Sequence, residues 1–347
     1  MEIDWVPAGG LTAGALAGFA ARYGRLCTMG AIEDAIIGRD LRRLRAWGLA
    51  LAVAAGITFA LERGGIVDLS GAGFAAPRLH LPGLLLGGLM FGLGMSLVGT
   101  CSFGLLVRVG GGDLRAAVTS LVVGVFAIAA TAGALVGPRE RILAFGSIDL
   151  SNTGGVRLTE MVAWATGPSS SIIVMSLLVA LPVVFAVADR KMWRRPRLVS
   201  AAIVMGFAIG AAWYGSWQAV QTMGLTRPEG LSFVAPTGRA LLQFMTDSLR
   251  GVGFGVWAMV GVVLAALATA QVRKDFRWEA FDDAFEMRRH LVGGALMGTG
   301  GVLAGGCTIG QGLTASSITA ISAPLFLAMV FVGAYVGLRH LLVGRTV

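Results

Sequence analysis

Apolar runs of about 20 residues recur along the chain, each closed off by a short cluster of glycine, proline or charged residues. That length is what a helix needs to cross the hydrocarbon core of a bilayer. The runs fall near residues 9–26, 46–61, 83–106, 114–136, 170–188, 199–219, 250–270, 290–313 and 317–338. This pattern predicts an all-α integral membrane protein with about nine transmembrane helices.

The polar punctuation then orients the runs. Basic clusters stand at Arg39 to Arg45, at Arg190 to Arg197 and at Arg273 to Arg289. With about nine spans these clusters share one side with the C-terminus, and the positive-inside rule makes that side cytoplasmic and places the N-terminus outside. Two long connections, 137–169 and 220–249, fall outside and contain LTEMVAWA and ALLQFMTDSL, which read as short amphipathic helices. The stretch 272–289 reads as a helix lying on the inner surface. Glu2 and Asp4 stand where a cleaved signal peptide would carry basic residues, so the first span is expected to remain.

Composition strengthens the membrane assignment and removes alternatives. Hydrophobic residues make up 56% of the 347 and charged residues 14%, with a mean hydropathy of +0.77, too few polar groups to coat a soluble domain. The formal charge of +9 sits in short loops facing lipid, and nothing supports nucleic-acid binding. His80, His290 and His340 lie at predicted span ends, which favours interface roles over metal ligation. No Walker loop, dinucleotide fingerprint or Ser-His-Asp arrangement suggests an enzyme, an ATP-driven pump or a bound cofactor. Glu33 and Asp34 are expected to pair with Arg39 or Arg42, and Arg22 and Arg25 to snorkel or attract an anion.

An internal repeat organises the spans. GLMFGLGMSLVGTCSFG (88–104) aligns without a gap on GALMGTGGVLAGGCTIG (294–310), which puts Cys101 on Cys307 and Gly99 on Gly305. GALAGFAARYG (14–24) resembles GFAIGAAWYG (206–215) more loosely, and Gly14–Gly18 and Gly206–Gly210 read as helix-packing glycines. The chain therefore divides into a first repeat (1–169), a linking span with a basic loop (170–197) and a second repeat (198–347). A single span between the halves makes them inverted, an arrangement that in transporters places the site at the repeat interface.

The chain's three cysteines share one local pattern: Cys27-Thr28-Met29-Gly30, Cys101-Ser102-Phe103-Gly104 and Cys307-Thr308-Ile309-Gly310. Gly24, Gly99-Thr100 and Gly305-Gly306 precede them. Glycine before each cysteine permits unusual backbone angles, and Ser102 or Thr308 after it can cap a helix restarting in mid-membrane. Such a broken or re-entrant helix aims its free N–H groups at a bound anion. A neutral thiol beside it offers a weak, polarizable donor suited to a soft sulfur atom. Gln311, directly after the third motif, is a candidate partner for the oxygen end of such an ion. The competing view is that the glycines only let helices pack and that the cysteines are small interface residues. Cys27 has no cysteine counterpart in the second half, where the matching stretch falls around Trp217 to Ala219.

At these residues the chain resembles the YeeE/YedE family of sulfur transporters. The resemblance rests on GRLCTMGAIEDAIIGRDLRRLRAW (24–47), GMSLVGTCSFGLLVRVGGGDLRA (94–116) and GGVLAGGCTIGQGLTASS (300–317). It implies a bacterial inner-membrane importer of thiosulfate or a closely related sulfur anion. Cys27, Cys101 and Cys307 would line its path by S–H to sulfur hydrogen bonds, without covalent chemistry. A small cytoplasmic sulfur-carrier protein is the partner it implies. A membrane thiol-redox or sulfur-transferring enzyme, which would form a cysteine adduct, is the alternative from another class.

Overall fold

The computed structural model describes residues 4–151, 155–167, 170–223, 225–246 and 251–343. Each expected span contains a helix, and two of them, 83–106 and 290–313, are broken. Helix α1 (Trp5–Gly24) starts where the Asp4 carboxylate accepts from Val6 N–H, and ends at Arg25 in a left-handed turn. A short α2 (Thr28–Ile36) leads to α3 (Arg42–Arg63). The run at 83–106 folds as two helices, α4 (Leu81–Val98) and α5 (Ser102–Gly110), broken at Gly99 to Cys101. Helix α6 (Leu114–Ala132) follows.

Beyond it come α7 (Val136–Ala144), α8 (Leu158–Thr166), α9 (Ser170–Val187) and the single turn α10 (Arg190–Trp193). Next come α11 (Pro196–Met223), α12 (Ala235–Met245), α13 (Phe254–Val272) and α14 (Ala284–Leu303). A wide π-helical turn (Gly310–Thr314), the short α15 (Ala315–Ser317) and α16 (Ser322–Val343) follow.

Among the described residues, six helical stretches are long and apolar enough to cross a membrane: Arg42–Arg63, Leu81–Gly110, Leu114–Ala132, Pro196–Thr222, Phe254–Val272 and Ser322–Leu342. The other three expected spans correspond to α1, α9 and α14. Glycines, Pro7 and Arg22 dilute the hydropathy of α1, α9 is shorter, and α14 carries Glu286, Arg288 and Arg289 in its first turns. The chain is thus a multi-pass, mostly helical membrane protein.

Packing partners exchange in matched pairs. Helix α1 packs on α13 and α11 on α3, while α4 packs on α16 and α14 on α6; α1 also meets α11, and α4 meets α14. Small residues allow this closeness, because lipid supplies no hydrophobic drive between helices and dispersion contact must hold them. A Cβ on Gly14 would lie 1.9 Å from the Ala258 carbonyl oxygen, and one on Gly206 would lie 2.6 Å from Val53. Those glycines pack helices, as the spacing suggested.

Two departures from the expected all-α pattern occur outside the bundle. Strands β1 (Arg78–His80) and β2 (Ser147–Asp149) pair antiparallel, Arg78 opposite Asp149, in connections where no strand was expected. The stretch expected to be an inner-surface helix, 272–289, is instead extended between Lys274, which is left-handed, and the start of α14. Its Arg277 and Glu279 N–H groups donate to the carbonyls of Gly111 and Gly112, and Leu114 N–H donates to the Glu279 carbonyl. Backbone groups that a helix would have paired internally are satisfied against the α5–α6 loop.

Asp113 anchors that loop. Its side chain caps α6 at Ala116 N–H and pairs with Arg108 at 2.6 Å and Arg115 at 3.2 Å, and Arg115 also reaches Glu279 and Glu286. Burial pushes the Asp113 carboxyl up, but Arg108, the Ala116 N–H and Arg115 together outweigh burial and hold it below its ordinary range.

Candidate functional site

The backbone around Cys101 and Cys307 follows the alignment closely. Gly99 and Gly305 both take left-handed angles, φ +80° and +75°, which a residue with a Cβ adopts only under strain. Each stands at or just past the end of one helix and turns the chain into a cysteine, which is the cap residue of α5 in the first motif and lies three residues before the π-helical turn in the second. Cys101 Sγ accepts from the Gly104 N–H at 3.5 Å, and Cys307 Sγ accepts from the Gly310 N–H at 3.4 Å. The expectation that Ser102 and Thr308 would cap these starts is corrected. At α5 the cap residue with extended angles is Cys101, one position before Ser102, and at the second motif the N–H of Gly310 likewise goes to the Cys307 sulfur rather than to Thr308. Cys27 is also the cap residue of its helix, but its thiol makes no cap bond there.

The three motifs meet. Cys27 Sγ lies 3.6 Å from Thr100 Oγ1, and Thr28 Oγ1 donates to Thr308 Oγ1 at 3.2 Å. Cys101 directly follows Thr100, which meets the Cys27 sulfur, and Cys307 directly precedes Thr308, which meets the Thr28 hydroxyl. Cys101 and Cys307 are buried, whereas Cys27 is half-buried. The Ser102 hydroxyl is buried and has no hydrogen-bond partner among the described residues, a donor left for something else.

The glycine closing each motif has a common role. A Cβ at Gly30 would fall 2.5 Å from Arg43 Nη1, at Gly104 2.0 Å from Thr100 Oγ1, and at Gly310 2.9 Å from Ser232 Oγ. Each glycine therefore leaves room for a polar atom one helical turn from a thiol.

Cavities approach this cluster from both ends of the bundle. One, of about 610 Å³, is lined by Arg22, Arg25, Arg43, Arg108, Lys274 and Arg277 against Glu33 and Asp275, and reaches Cys27, Gly99, Thr100 and Gly104. Arg22 is paired with Asp275 at 2.8 Å and Arg43 with Asp34 at 3.3 Å. Asp34 thus pairs with Arg43 rather than with Arg39 or Arg42, because Arg42 is taken by Asp40, whose carboxyl it holds down at about 2. Arg25, Lys274 and Arg277 join no ion pair among the described residues. At the opposite end a cavity of about 590 Å³ holds Arg78, Arg139 and Arg227 and ends on Ala304, Gly305, Gln311 and Ser322. Gly306 lies behind, with Gln311 and the Phe74 ring over it.

The sequence reading missed Arg43, Arg108, Lys274 and Arg277 at one mouth, and Phe74, Arg139, Arg227 and Ser322 at the other. Its basic clusters served only to orient the chain, and nothing in their spacing tells a cavity wall from a lipid-facing loop. A cation-lined mouth raises the local concentration of anions. Charge reversal of Arg25, Lys274 and Arg277 to glutamate is therefore expected to lower initial uptake of an anionic substrate by roughly tenfold at low salt. The deficit should shrink as ionic strength rises, which initial rates across a salt series would show.

No group of three or more His, Cys, Asp or Glu side chains among the described residues could hold a metal. His80 Nδ1 meets the Leu143 carbonyl and His290 Nδ1 meets Thr119 Oγ1.

A family model described as "Sulphur transport" matches residues 23–336. The thiosulfate transporter TsuA of Escherichia coli (strain K12) is 26% identical over 330 residues, 89% of this chain and 87% of that protein. The thiosulfate transporter TsuA of Spirochaeta thermophila is 30% identical over 346 residues, 93% of this chain and 94% of its own length.

Proposed function

This chain belongs to the sulphur transport family, and from that premise we propose that it carries thiosulfate, or a closely related sulfur-containing anion, past Cys27, Cys101 and Cys307. The observation that carries the proposal is the convergence of three cysteine-started turns where cation-lined cavities from the two ends of the bundle stop. Both curated relatives are named as transporters, so the role is a transporter's and the sulfur-transferring enzyme gives way.

A path follows from the geometry. An anion gathered by the mouth at Arg25, Lys274 and Arg277 meets Cys27 and Thr100 on the cavity wall, and one from the other mouth meets Gly305 and Gln311. Between them lie Cys101 and Cys307, each with its helix-start N–H groups, and the Ser102 and Thr308 hydroxyls. N–H and O–H donors would take the oxygens and the thiols the terminal sulfur. Each contact is weak, and a conducting site must let its ion leave.

The matched packing pairs support reading residues 1–169 and 198–347 as inverted repeats joined by 170–197. In that reading α2 corresponds to α12, and the counterpart of Cys27 is Val234, the residue before α12, rather than the stretch at Trp217 to Ala219. Neither location offers a thiol. The basic loops favour an orientation in a bacterial inner membrane with the Arg25 mouth in the cytoplasm and the N-terminus outside, and we propose import as the direction of transport. A small cytoplasmic sulfur-carrier protein would then collect the ion at that mouth.

Bacteria lacking their own sulfur uptake routes test the proposal. Expression of this chain is expected to restore growth on thiosulfate as sole sulfur source, but not on a sulfur-free medium. Failure to grow while the protein is present in the membrane would reject thiosulfate as the cargo.

A further inference from the structure

The two cavities stop differently. The cavity at the Arg25 mouth has a thiol, Cys27, in its wall. The opposite cavity ends on Gly305, Gln311 and Ser322, and Cys307 behind it is completely buried. The Gln311 side chain stands between. Its Nε2 lies 3.4 Å from where a Cβ of Gly305 would be, and its Cγ 3.1 Å from where one of Gly306 would be.

Both ends of its amide are engaged, on different elements. Gln311 Nε2 donates to the Ala304 carbonyl at the end of α14, at 3.0 Å, and Gln311 Oε1 accepts from Ser322 Oγ at the start of α16, at 3.0 Å. The side chain therefore bridges the floor of the cavity, with the Phe74 ring beside it on Gly306. In the gapless register its counterpart is Leu105, which is buried and has no polar group to make or break. The repeats thus differ chemically at this position, polar on the floor of the opposite cavity and apolar beside Cys101. Gln311 also begins within the π-helical turn Gly310–Thr314, a wide turn of the kind that recurs at functional sites and local hinges.

We infer that Gln311 is a latch that closes the opposite cavity over Cys307, opened when an arriving anion takes the Nε2 donor in place of the Ala304 carbonyl. This rests on the proposed path, since a latch matters only if Cys307 is a station on it. The exchange swaps one neutral hydrogen bond for one to an anion, which is the stronger of the two. It leaves the Ala304 carbonyl, a helix-end acceptor, to be met by water entering with the ion. Gln311 is here a positioning residue for access, in addition to any contact with the ion.

Labelling of Cys307 tests the latch without requiring transport. The test protein carries Cys27→Ser and Cys101→Ser, so that Cys307 is its only thiol. It is treated with an impermeant, negatively charged methanethiosulfonate in membrane vesicles of both orientations. Adding Gln311→Ala is expected to speed Cys307 modification from the Gln311 side by about tenfold or more, since the rate follows the open fraction. The rate from the Arg25 side should stay the same. Ser322→Ala, which removes only the Oε1 partner, should give a smaller acceleration with the same sidedness, and decides the matter if Gln311→Ala does not reach the membrane. An unchanged rate, or equal acceleration from both sides, would overturn the latch. If labelling responds as expected while the unsubstituted chain, with all three cysteines, takes up no thiosulfate, the latch stands and the cargo is wrong.

Discussion

Replacing Cys101 or Cys307 by alanine is expected to lower thiosulfate uptake roughly a hundredfold while the protein still reaches the membrane at its normal level. A hydrogen bond to a charged partner contributes about 1.5–3 kcal/mol, and about 2.8 kcal/mol corresponds to a hundredfold at about 1.4 kcal/mol per decade. The two thiols act in series in the proposed path, so either loss suffices. The same substitutions remove a thiol cap on a Gly104 or Gly310 N–H, a structural cost of about 1 kcal/mol or less. Function and folding therefore separate. Cys27→Ala should fall less, because Cys27 sits on a cavity wall where Arg25 and Lys274 remain to hold the ion. Uptake normalised to the amount of protein in the membrane, measured for all three variants, checks the order.

The largest effect on stability is expected at Arg157. Its guanidinium joins three separate elements: the Glu62 carboxylate at the end of α3 at 2.6 Å, Glu160 on α8 at 3.4 Å, and the Ile318 carbonyl at 3.0 Å. Alongside it, Thr159 and Thr319 share a hydroxyl hydrogen bond of 2.9 Å, with Thr319 held in a left-handed conformation. Arg157 is only 9% exposed, so Arg157→Ala would leave Glu62 without its partner and the Ile318 carbonyl without a donor. Breaking one side of a buried pair costs on the order of 3–5 kcal/mol. A drop in thermal midpoint well beyond that of Arg78→Ala, whose 3.9 Å pair with Asp149 is exposed, is the expected readout. Lysine at 157 should recover little, because it cannot hold carboxylate and carbonyl in one planar fork.

How far the sequence foretold this structure depends on what kind of signal each feature left. The break at Gly99 and its partner at Gly305 were legible because glycine is the residue that takes φ near +80° without strain, and the aligned repeat marked the place twice. The helical spans were legible because lipid demands length and hydropathy. The identity of the capping residue was not. Cysteine is an unusual cap, and Ser102 and Thr308 carry the better known side chain one position too late. The run at 272–289 misled for a related reason. Its charges spread as an amphipathic helix would spread them, but backbone pairing with Gly111 and Gly112 outcompeted the helix, and no local pattern announces a partner some 160 residues away. The cations at the mouths and the Gln311 bridge are likewise products of tertiary placement.

The central claim is that thiols pass the anion along without reacting with it. Uptake of radiolabelled thiosulfate into liposomes containing only this chain, followed by mass measurement of each cysteine on the same sample, tests it most directly. The account predicts accumulation inside the liposomes with Cys27, Cys101 and Cys307 recovered as unmodified thiols. A persulfide or thiosulfonate adduct growing with turnover, or no accumulation at all, would contradict it.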